Sequence, residues 1–422
     1  MDKQQFQVVI VGGGCAGLWL LHELSTRKFP SVLIEHGSLG AYASTRNQSW
    51  LHSGALYAIG TNTPVSIQDA SASASLTTGR KCVQAFQEML EFCPTAFGSG
   101  SKCLFAFKDE KELELASQGV AALGISAQNL TLANLLEREP LLFTEDGTFK
   151  FGLATPDVPF DSHAFLSHLA GVALQEGGII KGSERELAQL EIIREDSSWT
   201  VKDNKSVIEA QVLICASGAL TPRIMSHLNV PPSEFKIQKC LVLVLHQRVC
   251  DHVVSLRDAG VGDLNLVPFK NGTTVNLGGT DEIAFDHADE HFDQATYADV
   301  LEVVGRFVPG LKHAEAHFYV CQKLNNSDFS SHGKRIYGNR HYFWVEEQKS
   351  NLYFFYPGKF TLAKIGACEL VDHIASLYVP SGLPPLPQPT LAPSITSAYE
   401  GEATDVLVRT GTKTLRRDRL RT

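Results

Sequence analysis

Long apolar runs, closely paired cysteines and an excess of basic charge are all missing from this 422-residue sequence. No stretch approaches the roughly 20 unbroken apolar residues that span a bilayer. The N-terminal run Val8 to Leu21 is broken by glycines and follows MDKQQFQ, with neither a basic flank nor a small-residue cleavage site. It therefore reads as a buried strand entering a helix, not as a leader. Nine cysteines scattered from Cys15 to Cys368 include no C-x-x-C pair, which argues against a disulfide framework or a zinc knuckle and points to reduced thiols in the cytoplasm. The formal charge is −9, so there is no general nucleic-acid signature. Glycine and proline, at 34 and 18 residues, stand near average usage, which removes collagen-like and low-complexity readings, and no internal repeat is found. A hydrophobic fraction of 44% is ample for a large core spread over two or three units.

The first 36 residues read as one β-α-β unit. Gln7 to Val11 is a continuous apolar strand, Leu18, Leu21 and Leu24 recur at helical spacing, and Val32 to Ile34 is a second buried strand ending at Glu35. Two parallel strands joined by a helix follow from that pattern. Arg80 to Leu142 is mainly helical in pattern and is expected to be an insertion covering a site. Asp161 or Ser162 caps a helix that runs to the Gly177-Gly178 stop, and an apolar strand follows at Ala210 to Cys215. From about 230 to 335, alternating segments at Leu241 to Gln247, Leu264 to Phe269 and Thr273 to Gly278 predict a largely antiparallel sheet, with a helix near Tyr297 to Phe307. The chain returns through a strand at Leu352 to Tyr356 and a helix from Thr361 to Leu377.

Beyond Val379, PSGLPPLPQPTLAP reads as a semi-rigid linker to a tail that carries six basic residues and one acid between Arg409 and Thr422. Such a tail is expected to dock on an acidic face of the chain, on a neighbouring protomer or partner, or on an anionic membrane surface, which would make a cytoplasmic protein peripheral to the inner membrane.

The motif Gly12-x-Gly14-x-x-Gly17 lies between the first strand and the first helix, with Glu35 at the end of the second strand. Gly12 permits the tight turn, Gly14 lets the backbone approach a pyrophosphate, and Gly17 lets helix and strand pack closely. Amides at the helix start, including Cys15 and Ala16, supply donors to the anion, and Glu35 accepts from ribose hydroxyls.

The following segment, Ser44-Thr45-Arg46-Asn47-Gln48-Ser49-Trp50-Leu51-His52-Ser53-Gly54-Ala55-Leu56-Tyr57, resembles the flavin loop of the D-amino-acid oxidase superfamily of FAD-dependent oxidoreductases. The nearest likeness is to the glycerol-3-phosphate dehydrogenase and L-2-hydroxyglutarate dehydrogenase branch, where a Ser/Thr pair, an Arg-Asn and a His-x-Gly-x-x-Tyr run beneath the flavin. Ala216-Ser217-Gly218 after the strand Val212 to Cys215 resembles the late strand and small-residue turn of that family. Gly278-Gly279-Thr280-Asp281 resembles its Gly-Thr-Asp turn, and Gly358-Lys359-Phe360-Thr361 its C-terminal Gly-Lys-x-Thr. Trp50 and Gln48 depart from the branch, where smaller residues are usual.

The resemblance implies an α/β fold: a discontinuous Rossmann-like FAD-binding domain (1–79, 150–228 and 335–378) and a substrate or cap domain (80–149 and 229–334) built on a mainly antiparallel sheet. FAD is the implied cofactor, held by the glycine turn, Glu35, Ser44, Thr45, Arg46, Ser217, Gly218 and the 358–361 segment. Lys359 and the helix amides after it would stabilise the reduced flavin; the competing reading is an exposed lysine at a helix start. Arg46 faces either pyrophosphate or substrate. His52 is the first candidate for the base, against the readings of a histidine packed on the flavin ring or a covalent attachment point. Arg340 resembles the arginine that clamps a substrate carboxylate or phosphate, against a surface arginine on a strand turn; His341 and Tyr342 go with it, and Tyr57 is a further substrate candidate.

Histidine pairs at His287/His291 and His313/His317 have i, i+4 spacing without the H-E-x-x-H order and read as solvated surface, so no metal is expected. Cys240 and Cys250 read as core. The expected activity is oxidation of a small anionic hydroxy substrate by hydride transfer to flavin N5, with a 2-hydroxy acid such as L-2-hydroxyglutarate first and glycerol 3-phosphate second. The alternatives are an amine or amino-acid oxidase of the same superfamily and a flavin-bearing interaction protein with structural FAD.

Overall fold

A computed structural model describes residues 2–59, 70–98, 102–230, 235–257, 263–270, 272–277, 282–283, 302, 304–308, 316–326, 334–339, 342–347, 351–380 and 413–415. Two sheets organise them. At the centre of the first is β1 (Asp2–Val11), flanked by β2 (Ser31–His36) on one side and the strand Ser206–Cys215 on the other, with Ile179–Ser183 and Leu352–Tyr356 outside them. All four of these pairings are parallel. Strands Lys334–Asn339 and Tyr342–Glu347 extend one edge antiparallel, and the hairpin Glu191–Glu195/Ser198–Lys202 branches from Ser206–Cys215.

The period-two rule explains how β1 is covered on both faces. Val8 and Ile10 join a core with Leu18 and Leu21 of α1 (Cys15–Thr26), Phe165 and Leu169 of the helix Ser162–Gln175, and Leu370 and Val371 of the helix Leu362–Leu377. Val9 and Val11 point the other way, into a core with Trp199, Val201 and Ile224. The Asp161 carboxylate accepts from the amides of His163 and Ala164, both at 3.0 Å, and so starts the second of these helices where the sequence places it.

The second sheet has ten strands, mostly antiparallel, with Phe235–Leu245 pairing along eleven residues with Ala316–Asn326. The segment 80–142 is less helical than its pattern predicts. It contributes the helices Ala70–Phe92, Glu110–Ala122 and Leu132–Arg138, but also strands Cys103–Phe107 and Gln128–Thr131, whose apolar positions are buried by cross-strand neighbours and not by a helical face. Phe151–Thr155, assigned from sequence to the first domain, pairs with both of those strands in the second sheet. Of the basic tail, Lys413–Leu415 runs antiparallel to Ala316–Phe318 as an edge strand of the second sheet. The proline-rich spacer and the Gly278–Asp281 turn lie outside the described residues, as do His287, His291 and His313; the backbone of His317 is in a strand, not a helix.

Candidate active site

The first sheet reverses its winding at β1, since the chain runs outward from it through β2 to Ile179–Ser183 and then returns to its other side at Ser206–Cys215. Such switch points leave a crevice at the carboxyl ends of the strands. A cleft opens there, lined by the turns after β1 and Ser206–Cys215, the loop 40–52, the 355–360 turn and the face of the second sheet that carries Cys240, Val242, Cys321 and Lys323.

The glycine turn is built for close approach. Gly12 has φ +115°, and a Cβ there would stand 2.6 Å from the Ala216 carbonyl oxygen, while a Cβ on Gly17 would stand 1.9 Å from the Gly12 carbonyl oxygen. Gly14, Cys15 and Ala16 line the cleft; Gly17 does not, and serves packing alone. The Cys15 amide donates to Ser44 Oγ at 2.9 Å, so the loop hydroxyl occupies one of the first-turn donors of α1. Glu35 is buried beneath this turn, with Oε2 accepting from Gly13 N at 2.5 Å and Oε1 from His36 N at 2.6 Å. Burial nevertheless pushes its carboxyl up to about 7, against the pull of those two amides. Two lone-pair sites remain for ribose hydroxyls.

Ser44, Arg46, Ser217, Gly218, Gly358, Lys359 and Phe360 all line the cleft. Thr45 turns inward and donates to Gly40 O at 2.7 Å, holding the loop, and Thr361 accepts from His52 N at 3.2 Å; neither lines the cleft. Tyr57 is buried with Cys82 and Leu362, apart from the lining. Arg340 and His341 lie outside the described residues, and Tyr342 is described only as a strand backbone.

The loop 44–52 is tied to the second sheet: Tyr319 donates to Asn47 O at 2.7 Å, Thr274 to Gln48 O at 3.1 Å, and the Gln48 amide to Asn276. Gln48 and Trp50, the departures from the branch pattern, are thus parts of the cleft wall. The Trp50 ring packs against His52, with centroids 4.4 Å apart and planes tilted by 49°. His52 is buried, and burial together with Lys359 and Lys323 holds its imidazole well below the usual range, so it is neutral at physiological pH. Burial and Lys323 also push Lys359 down to about 8.

Lys323 and the Cys240/Cys321 pair were not legible as site residues. Cys240 and Cys321 are directly opposed across Phe235–Leu245 and Ala316–Asn326 and are not joined in a disulfide; both are buried in a core cluster with Val242 and Tyr319, as the sequence reading of Cys240 has it, and both also line the cleft. Lys323 is two residues along from Cys321, hence on the same face; no motif marks it, and only strand alternation from Cys321 could have found it.

A glycine cradle that side chains would fill, helix-start amides, a buried carboxylate with spare acceptor sites and a cleft that runs from the glycine turn to the 355–360 turn together fit FAD. The sequence matches the family of FAD dependent oxidoreductases (DAO) across residues 7–360. The chain belongs to that family, and its cofactor is FAD. It is 24% identical over 318 residues to one subunit of the anaerobic glycerol-3-phosphate dehydrogenase of Escherichia coli K12, covering 72% of this chain and 53% of that relative. The chain thus spans about half the length of the relative. Among solved structures, the L-proline dehydrogenase of P. horikoshii has a TM-score of 0.67 at 17% identity, covering 91% of this chain and 96% of its own. The L-alpha-glycerophosphate oxidase of Mycoplasma pneumoniae has 0.64 at 16%, covering 89% and 95%. The fold is that of these enzymes, with a Rossmann-like FAD domain. Among the described residues no helix is long and apolar enough to cross a membrane, and no group of His, Cys, Asp or Glu is arranged to hold a metal.

Proposed function

We propose that this flavoenzyme oxidises a small hydroxy substrate bearing an anionic group, a 2-hydroxy acid such as L-2-hydroxyglutarate in the first place and glycerol 3-phosphate in the second. The observation that carries this reading is the charge of the cleft: Arg46, Lys323 and Lys359 line it, and the one lining carboxylate among the described residues, Glu35, belongs to the dinucleotide turn. Neither lysine has a carboxylate partner among the described residues, and a carboxylate or phosphate on the substrate would answer that potential. The glycerol-3-phosphate dehydrogenase relative acts in its name on a substrate of this kind.

Bound FAD supplies the two-electron acceptor. Lys323 holds the substrate anion, with Arg340 as the second candidate from the sequence. His52, neutral because it is buried beside two ammonium groups, takes the hydroxyl proton. Lys359 and the amides that open the helix Leu362–Leu377 keep the far end of the cleft positive.

The test is anaerobic bleaching of the purified yellow protein by hydroxy acids, glycerol phosphate and amino acids. Hydroxy acids or glycerol phosphate should bleach it. Lys323→Met should raise the half-saturating concentration, and His52→Ala should slow saturated reduction by about 10²–10⁴-fold. Bleaching by amino acids alone would transfer the enzyme to amine oxidation; no bleaching by any of the three would leave FAD as a structural group.

A further inference from the structure

The short ladder between Trp50–Leu51 and Val158–Pro159 pairs Trp50 with Pro159 and Leu51 with Val158. Continued by one residue, that register sets His52 opposite Asp157. Asp157 is fully buried and follows the strand Phe151–Thr155 by two residues. Its Oδ1 accepts from Ser53 N at 3.0 Å, and its Oδ2 accepts from Ser53 Oγ at 2.5 Å and Thr155 Oγ1 at 2.7 Å. The carboxylate also accepts from its own backbone amide, and with both hydroxyls on Oδ2 it is Oδ1 that faces His52. Oδ1 is also the atom 3.8 Å from His52 Nδ1, and His52 Nδ1 is buried without a hydrogen-bond partner. A buried carboxylate oxygen and the orphaned ring nitrogen of His52 are therefore neighbours.

We propose that Asp157 is the positioning residue of His52: its carboxylate, braced by Ser53 and Thr155, fixes Nδ1 as the protonated nitrogen, leaves Nε2 to the cleft, and stabilises the ring once Nε2 carries a proton. The inference rests on the reading of His52 as the base. Closing 3.8 Å to a hydrogen bond takes a shift of less than about 1 Å. The charges facing the pair support the need for it. Lys359 from the 355–360 turn and Lys323 from the strand Ala316–Asn326 both oppose a proton on His52. Against Asp157 lie the Cys82 and Cys103 thiols, which burial keeps protonated, so Asp157 is the anion in this group that can balance an imidazolium. Burial pushes the Asp157 carboxyl up, and the Ser53 and Thr155 donors pull it back toward the ionised form. A purely structural brace would explain those donors but not the orphaned Nδ1 beside Oδ1.

Two measurements on the holoenzyme decide the matter. Selective ¹⁵N labelling of histidine, with His52 assigned by comparison with His52→Ala, should show a single Nδ1–H tautomer at neutral pH in the oxidised, substrate-free protein. In Asp157→Asn that tautomer preference should be lost. Saturated anaerobic reduction should fall by about 10²-fold or more in Asp157→Asn, with the half-saturating concentration within about threefold and the acidic limb of the pH–rate profile moved to lower pH. An Nε2–H tautomer in the wild-type protein overturns the proposal, and that measurement needs no variant at Asp157 to fold. An unchanged tautomer and rate in Asp157→Asn overturn it equally. If His52→Ala reduces at the wild-type rate, the base reading fails, while the tautomer result still decides whether Asp157 orients the ring.

Discussion

Glu35 makes FAD binding a proton-linked event, and the linkage can be measured. In the free protein its carboxyl titrates at about 7, because burial outweighs the donors from Gly13 and His36. An ordinary glutamate titrates at about 4.3, so between those values the folded protein holds a proton that the unfolded chain releases. The resulting stabilisation of the free protein is full in acid and is lost as pH rises toward 7. Ribose hydroxyls donate to the carboxylate, so FAD favours the ionised form, and its affinity must rise with pH across the same window and level off above it. One proton allows at most about tenfold per pH unit, hence up to about 10²-fold between pH 5 and 7. Glu35→Gln removes the titration. Its FAD affinity should be flat with pH, and at pH 8 weaker than wild type by about 10- to 150-fold, the equivalent of about 1.5–3 kcal/mol for a charge-assisted hydrogen bond. Quenching of FAD fluorescence on titration into deflavinated protein reads both curves. A wild-type affinity independent of pH from 5 to 8, or the same slope in Glu35→Gln, would refute the placement of Glu35 on the cofactor.

Gly12→Ala should cost about 1–3 kcal/mol of stability and most of the bound FAD, because φ +115° is strained for alanine and the new methyl meets the Ala216 carbonyl; flavin content and thermal melting test both parts. Colourless wild-type protein that added FAD cannot reconstitute would contradict the cofactor site as a whole. Truncation after Val379 keeps the Gln7-to-Val379 hydrogen bond but strips the edge strand Lys413–Leu415 from Ala316–Phe318, so flavin content should hold while melting falls by a few degrees and the exposed edge promotes association. Unchanged melting and a monodisperse truncated protein would show that this edge strand contributes nothing in solution.

What is local in sequence was legible in sequence. The glycine turn, the buried strands on either side of α1, the Asp161 cap and the turn at Gly358 depend on backbone freedom and on period-two or helical burial within a few residues, and each is written in residue types. Glu35 was legible because its place is fixed by the end of β2, one strand from the turn it serves. The dual use of that carboxylate, binding its own turn as well as a ligand, became visible only with the turn folded over it. Thr45, Thr361 and Tyr57 share motifs with true lining residues but turn into hydrogen bonds or core, since a motif fixes a residue's neighbours along the chain and not the side on which the cleft lies. Strand assignment within 103–155 was lost for a related reason: short buried strands and helix turns have the same apolar content, and only their cross-strand partners distinguish them. Lys323, the Cys240/Cys321 pair and Asp157 carry no signature at all. Their roles arise where strands far apart in the chain come into register, placing an ammonium over the cleft and a carboxylate beside His52, and register is a property of two strands that neither one encodes alone.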